Sequence, residues 1–245
     1  MISRRRFLQA GFASLMLPLH RFAPSQQIVR AITHGREDLP QICLTYDDLW
    51  DEEVALQIAE AYAEKDISIT FFPPGSAITA NINRPVVEDL YKQIYDLGHE
   101  FGCHLYTHTD ITEADERRLR WWEVNPWLEE MENALGFAYD PVAIRPPMGI
   151  VTNALYNICA EYELPLVLWS VDMRDTFCAP NECEAVLMNR FTDTLENGQI
   201  YLLHTLPQSL TVIDSMLDAM AEAELAHVPL SAMLAELENE SADDA

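Results

Sequence analysis

The sequence reads as an α/β protein: a parallel sheet, closed as a barrel or doubly wound, with helices outside. Three observations carry that expectation. Strand-like apolar runs alternate with helical stretches from Gln41 onward. The runs are nearly continuous, as in "PLVLWSV" and "QIYLL", which suits strands covered on both faces. The punctuation fits as well: Gly98 and Gly198 each end a helix before a strand, and Gly136 stands where a C-cap belongs.

The first strand is expected over residues 41–47, where an apolar start passes into β-favouring Thr45 and Tyr46. Six more follow over 67–72, 99–105, 142–146, 165–171, 199–204 and 226–230. Helices are expected between them. The first covers 51–64, with Asp51, Glu52 and Glu53 suiting its N-terminus. The others cover 85–97, 113–135 with a break near Pro126, 152–162, 182–196, 210–224 and 231–238. Asn125-Pro126 supplies a cap and a first-turn proline.

A chain of 245 residues has room for one large domain. Its 40 acidic against 15 basic residues give a formal charge of −25, which argues against nucleic acid and anionic membrane surfaces as partners. An acidic surface otherwise reports solubility. No stretch approaches the ~20 apolar residues of a membrane span. The acidic tail over 236–245 is expected to be frayed and solvated.

At the other end, Arg4, Arg5 and Arg6 precede Phe7, Leu8 and a short apolar run over 10–19, the layout of an export signal rather than an anchor. The order Ser3-Arg4-Arg5-Arg6-Phe7-Leu8-Gln9 resembles the twin-arginine signal, a route for folded proteins. Residues 1–35 are therefore expected to be signal and linker, with the mature start between 20 and 31 and one catalytic domain over 36–240. The protein is expected in the periplasm, the cell envelope or outside the cell. Of five cysteines, Cys43, Cys103 and Cys159 read as small buried thiols, while Cys178 and Cys183 can pair after export.

In parallel α/β folds, chemistry gathers where strands end. Five expected strand ends carry reactive groups: Asp47-Asp48, "HLYTH" with His104 and His108, "IRPPMG" with Arg145, "WSVDMRD" with Asp172 and Asp175, and "YLLH" with His204. The paired aspartates are either a helix cap or two carboxylates with separate jobs in one site. His104 and His108, four apart, fall on one side of a helix or a strand and suit metal binding. Leu105 stands where a zinc-protease pattern has its glutamate, so a base must come from elsewhere, and Asp47 and Asp48 are the obvious suppliers. One carboxylate with two imidazoles makes a facial set with open positions. Zinc suits these ligand types, and other divalent ions are admissible. The second carboxylate is then free to take a proton from water.

Arg145, stiffened by two following prolines, can orient a catalytic carboxylate and keep it ionised. Asp175 can orient His204 and raise its pKa. Asp172 reads equally as a turn residue, and His20, His34, His99 and His227 read as structural or exposed. "RWWEVNPW" offers Trp121, Trp122 and Trp127 as a sugar platform, although at least two of the rings are expected to pack their helix.

"LTYDD", "HLYTH", "RPPMG", "WSVDMRD" and "YLLH", in this order and spacing, resemble the five motifs of the polysaccharide deacetylases, metal-dependent carbohydrate esterases. "SITFFPPG" over 68–75 resembles that family's second strand, and the likeness covers about residues 40–235. It implies a distorted (β/α) barrel of about seven parallel strands. It implies Asp47 as general base, with Asp48, His104 and His108 as ligands of a divalent metal, zinc foremost. Arg145 would tether Asp47, Asp175 would tune His204, and His204 would protonate the leaving amine. The backbone N–H of Met148 would help hold the oxyanion. The implied reaction hydrolyses an acetyl group, N-acetyl ahead of O-acetyl, from a carbohydrate such as an acetylated glucosamine polymer.

Three positions depart from the family pattern: Leu49 replaces a glycine, Met148 a tyrosine and Thr176 a tryptophan. All three are expected at the substrate groove or acetyl pocket, with Leu49 narrowing the mouth. Two other readings share the motifs, an amidohydrolase of small cyclic amides or ureides and a catalytically idle carbohydrate-binding protein. Intact Asp47 and His204 count against the second.

Overall fold

The computed structural model describes residues 30–178 and 182–243. The export signal falls almost wholly on residues 1–29, outside the described residues. Six strands form one sheet: β1 (Gln41–Asp47), β2 (Thr70–Phe72), β3 (Glu100–Phe101), β4 (Val171–Asp172), β5 (Ile200–His204) and β6 (Ala226–His227). They pair in parallel in the order β3-β2-β1-β5-β4, with β6 on the start of β1.

The sheet closes through single bridges. Cys103 just past β3 bridges Ile144, Ile144 bridges Leu166, and the chain from Leu166 runs into β4 and so back to β5. This is the distorted barrel. The strand expected over 142–146 is reduced to the contact at Ile144, because Pro141, Pro146 and Pro147 bracket it and donate no backbone hydrogen bonds. Pairing also begins before residue 36, since Ile32 bridges Val167 and His34 bridges Gln199.

Alternation along β1 separates two cores. Ile42, Leu44 and Tyr46 belong to the large core beneath the helices, where Tyr46 and Tyr62 share a hydrogen bond of 2.8 Å. Cys43 belongs to a second core with Phe72, Ala143, Val167 and Ile200, completed by Leu230, Met233 and Leu234 of the last helix. That helix, Leu230–Asp243, extends into the tail expected to fray. Its first amides are held from β2 and β3: Leu230 N–H donates to Thr70 Oγ1 (3.1 Å) and Ser231 N–H to Glu100 Oε1 (3.0 Å).

The helix after β1 is Glu52–Ala63, and its cap is Asp51, whose carboxylate accepts from Val54 N–H at 3.1 Å. Asp47 and Asp48 are therefore not the cap. A helix over Gly75–Asn83 was not expected from the sequence, and the one expected over 85–97 is confined to Leu90–Asp96.

No break occurs at Pro126. The chain passes from Glu116–Arg118 through a π-helical stretch, Leu119–Val124, into Asn125–Leu135. Asn125 N–H reaches back to Arg120 C=O, five residues away, and this wider turn brings Pro126 into the next helix at its start. Leu119, Glu123, Trp127, Met131 and Leu135, four apart, are buried. Trp127 donates through Nε1 to Pro73 C=O at 2.7 Å. Trp121 and Trp122 point the other way and are 58% and 68% exposed, so one ring packs the helix where at least two were expected.

His99 and His227 are structural, as expected. His99 Nδ1 accepts from Ile69 N–H (3.1 Å), and His227 Nε2 accepts from Leu44 N–H (3.1 Å). Burial lowers the His227 pKa to about 4, so it stays a neutral acceptor. Cys43, Cys103 and Cys159 are buried free thiols.

Candidate active site

The five reactive strand ends meet on one rim. Residues 104–108 are neither helix nor strand but a loop, with Leu105 (φ 57°) and His108 (φ 52°) in the left-handed region. Two elements hold it. The unforeseen helix Gly75–Asn83 donates its first amides, Gly75 N–H to Leu105 C=O (2.8 Å) and Ser76 N–H to Tyr106 C=O (2.9 Å). From the other side, the buried Glu123 carboxylate accepts from Tyr106 N–H (3.1 Å), Thr107 N–H (2.8 Å) and the Thr107 hydroxyl (2.7 Å). Glu123 sits in the π-helical stretch, a distortion that often accompanies functional sites. Sequence reading passed over it as one acid among many.

His104 is buried, and its Nδ1–H donates to the Arg145 carbonyl at 2.8 Å, which turns the Nε2 lone pair toward the aspartates. Burial lowers its pKa against the pull of Asp47 and Asp48, which favours the neutral ring with a free Nε2 lone pair. Its Nε2 lies 3.7 Å from Asp48 Oδ1, and His108 Nε2 lies 3.0 Å from the same oxygen. Although burial opposes the charge on Asp48, contact with His108 and the field of His104 lower its pKa and keep it ionised. Asp48 Oδ1 is buried yet has no hydrogen-bond partner of acceptable geometry, although His108 Nε2 lies close by. An orphaned carboxylate oxygen facing two imidazole nitrogens, with all three ligand atoms within 4.8 Å of one another, fits a divalent cation.

Asp47 is tied elsewhere. Its Oδ1 accepts from Arg145 Nη1 at 2.8 Å, and the same nitrogen donates to Thr45 Oγ1 at 2.7 Å. The guanidinium is fully buried, stacks 4.0 Å above the Phe72 ring and donates through Nη2 to Leu168 C=O (3.0 Å). Gly102 makes this stack possible, since a Cβ there would sit 2.1 Å from the Phe72 ring. The other oxygen of Asp47 remains on the site side, 3.6 Å from His104 Nε2. Adjacent aspartates thus reach different partners. The divergence comes from positive φ at Asp48 (85°) and Leu49 (49°), where the chain leaves β1.

Across the rim, Asp175 is fully buried and receives three donors: His204 Nδ1–H (2.8 Å), His204 N–H (2.6 Å) and the Ser209 hydroxyl (2.6 Å). Burial opposes the charge on His204, but its hydrogen bond and attraction to Asp175, helped by Asp47 and Asp48, raise its pKa to about 9. The next turn carries the Cys178–Cys183 disulfide, with both sulfurs near Asp175 C=O. Asp172 is not a turn residue but the last of β4, paired with Leu202, and its carboxylate accepts from Arg174 N–H at 2.7 Å just beyond the strand.

Of the three departures, Met148 and Thr176 are exposed at the rim. Leu49 is not at the mouth: it is fully buried in the large core, which corrects the expectation that it narrows the entrance. Its left-handed backbone explains why glycine suits that position, and leucine carries a cost of about 1–2 kcal/mol there. Burial of the side chain offsets that cost.

A distorted parallel barrel with such a rim belongs to the α/β-barrel class, with its reactive groups at the strand ends. The polysaccharide deacetylase family model matches residues 34–167, more than half the chain, and the chain belongs to that family. A peptidoglycan-N-acetylglucosamine deacetylase of Bacillus cereus is 29% identical over 175 residues, 71% of this chain and 58% of that protein. The uncharacterized protein YlxY of Bacillus subtilis is 27% identical over 71% of this chain and 50% of its own length. The chain thus spans about half the length of these two relatives. A chitooligosaccharide deacetylase of Sinorhizobium fredii is 27% identical over 72% of this chain and 77% of its own. Among solved structures, PdaA of Bacillus subtilis, a family 4 carbohydrate esterase, superposes with a TM-score of 0.74 at 20% identity, covering 84% of this chain and 85% of that one. A family 4 pseudoenzyme of Bacillus anthracis superposes with a TM-score of 0.75 at 22% identity, covering 85% and 70%. At these identities the structural likeness speaks to the fold.

Proposed function

We propose that this chain is a zinc-dependent hydrolase that removes N-acetyl groups from an acetylated glucosamine polymer or oligomer. The observation that carries the reading is the unequal treatment of the two aspartates: Asp48 faces two imidazoles, while Arg145 holds Asp47 beside them as a free carboxylate. Asp48, His104 and His108 would hold the metal, which when bound supplies Lewis acidity toward the acetyl carbonyl and the attacking water. Asp47 takes the proton from that water. The Met148 backbone N–H donates to the developing oxyanion. His204, its Nδ1 engaged by Asp175, delivers a proton from Nε2 to the leaving nitrogen. Expelling an amine requires that proton, and an imidazole held charged near neutral pH suits an amide better than an ester demands.

Supporting an exported setting is the Cys178–Cys183 disulfide, a bond typical of oxidising compartments. The pseudoenzyme among the fold neighbours keeps an idle binding role in view, but binding alone needs neither the Asp47–Arg145 nor the His204–Asp175 pair. Acetate release from N-acetylglucosamine oligomers, xylan and peptidoglycan tests the reading. The oligomers or peptidoglycan should yield acetate, a chelator should abolish it, and zinc should restore it. The activity should fractionate outside the cytoplasm. Acetate release indifferent to chelator, or none from any substrate, would overturn the assignment.

The proton donor predicts a pH profile. Because His204 is raised from 6.5 to about 9, it stays protonated at neutral pH, and activity should fall on the alkaline side as that proton is lost. A bound cation beside it draws this limb downward from 9. Asp175→Asn removes the group that raises the pKa, so its alkaline limb should move to lower pH than that of the native enzyme. An unmoved limb would exclude His204 as the donor.

A further inference from the structure

The tryptophan pair that does not pack its helix lies beside two unpaired cations. Asp115, Arg117, Arg118 and Trp122 line a shallow surface cavity of about 380 Å³. Trp122 is 68% exposed and Trp121 beside it 58%. By contrast, the neighbouring Arg120 is engaged by Glu161, and Arg145 in the barrel by Asp47. The Arg117 and Arg118 side chains have no hydrogen-bond or ion-pair partner among the described residues. Asp115, the one carboxylate lining the cavity, is committed to the helix start, its Oδ1 accepting from Arg118 N–H at 2.7 Å. In a chain with 40 acidic and 15 basic residues, this cavity carries a local positive excess. The cavity shares its helical segment with Glu123, the residue after Trp122, whose carboxylate on the inward face holds Tyr106 and Thr107 next to His108.

We propose that Arg117, Arg118 and Trp122 form an accessory subsite for a carboxylate-bearing glycan, outside the acetyl-removing centre. The guanidinium fork matches a planar carboxylate. An exposed indole face suits the C–H face of a pyranose ring, where it loses little by staying rigid. The cavity, shallow and open to solvent, leaves room for one sugar ring to lie against its wall. The subsite selects glycans that carry an acid on the ring over neutral chains of equal length. It deepens the deacetylase reading by naming the substrate class, and it rests on that reading for its place along the polymer.

The test compares two probes that differ in the acid: chitooligosaccharide, and peptide-free glycan strands of alternating N-acetylglucosamine and N-acetylmuramic acid at matched length. Titration calorimetry on metal-stripped protein keeps the result independent of catalysis. The muramic strand should bind roughly five- to tenfold tighter than the neutral one, the scale of two exposed charge contacts. Arg117→Gln/Arg118→Gln should abolish the difference, and 0.5 M salt should shrink it. Trp122→Ala should weaken both probes. Acetate release from short neutral oligomers should be unchanged in the double arginine variant, while KM for the muramic strand rises at constant kcat. Equal binding of the two probes by the native protein, or an undiminished preference in the arginine variant, would overturn the proposal. So would arginine-dependent binding to anionic phosphatidylglycerol vesicles without glycan discrimination, which would assign the patch to a lipid surface. Loss of acetate release with the preference intact would instead refute the deacetylase reading alone.

Discussion

Asp47→Asn is expected to lower acetate release by roughly 10²–10⁴-fold, the range of a lost general base, while leaving metal content unchanged. The separation of effects follows from geometry. The Asp48, His104 and His108 ligand atoms converge without Asp47, and an asparagine oxygen can still accept from Arg145 Nη1, now 2.8 Å from Asp47 Oδ1. What disappears is the ability to take a proton. kcat should fall with little change in KM, since the substituted group acts in the transition state. Metal analysis of the variant is the control, and near-native turnover with full metal would show that another group is the base.

Arg145→Met is expected to destabilise the fold by about 3–5 kcal/mol, the usual consequence of stripping one partner from a buried ion pair. The guanidinium is fully buried, spans Asp47, Thr45 and Leu168, and stacks on Phe72, so no solvent stands ready to replace it. Most of the loss should come from Asp47 left in the barrel interior without a cation. Combining Arg145→Met with Asp47→Asn should therefore recover part of the stability, read as the midpoint of denaturant unfolding. A double variant no more stable than Arg145→Met alone would place the cost in lost packing instead.

The reactive residues were legible because strand ends are local features. An apolar run that stops on Asp47-Asp48, or on His204, announces both the strand and its C-terminal edge in a few letters. The barrel itself was legible from alternation, but its closure was not. The proline-bracketed segment around Ile144 reads as a full strand and contributes two single-residue bridges, because a missing N–H removes ladder bonds that hydropathy does not register. Glu123 was invisible for a different reason. Only the turn around it reveals an inward face, and only the fold reveals that the loop with His108 lies opposite. Spacing alone would place His104 and His108 on a helix or strand, whereas two positive-φ residues and anchors from two other elements set that loop.

The chemical inventory, then, was written in the linear order: which acids, imidazoles and cation stand at strand ends, and the family those motifs resemble. Those are properties of neighbouring residues, and short-range sterics and hydropathy suffice to declare them. The pairing of that inventory belonged to the tertiary structure. It took Arg145, 98 positions from Asp47, to fix one aspartate beside the imidazoles by its other oxygen, and a left-handed turn at Asp48 and Leu49 to send three successive side chains to three places. Long-range contacts and backbone reversals of that kind depend on the whole packed chain, which no local stretch encodes.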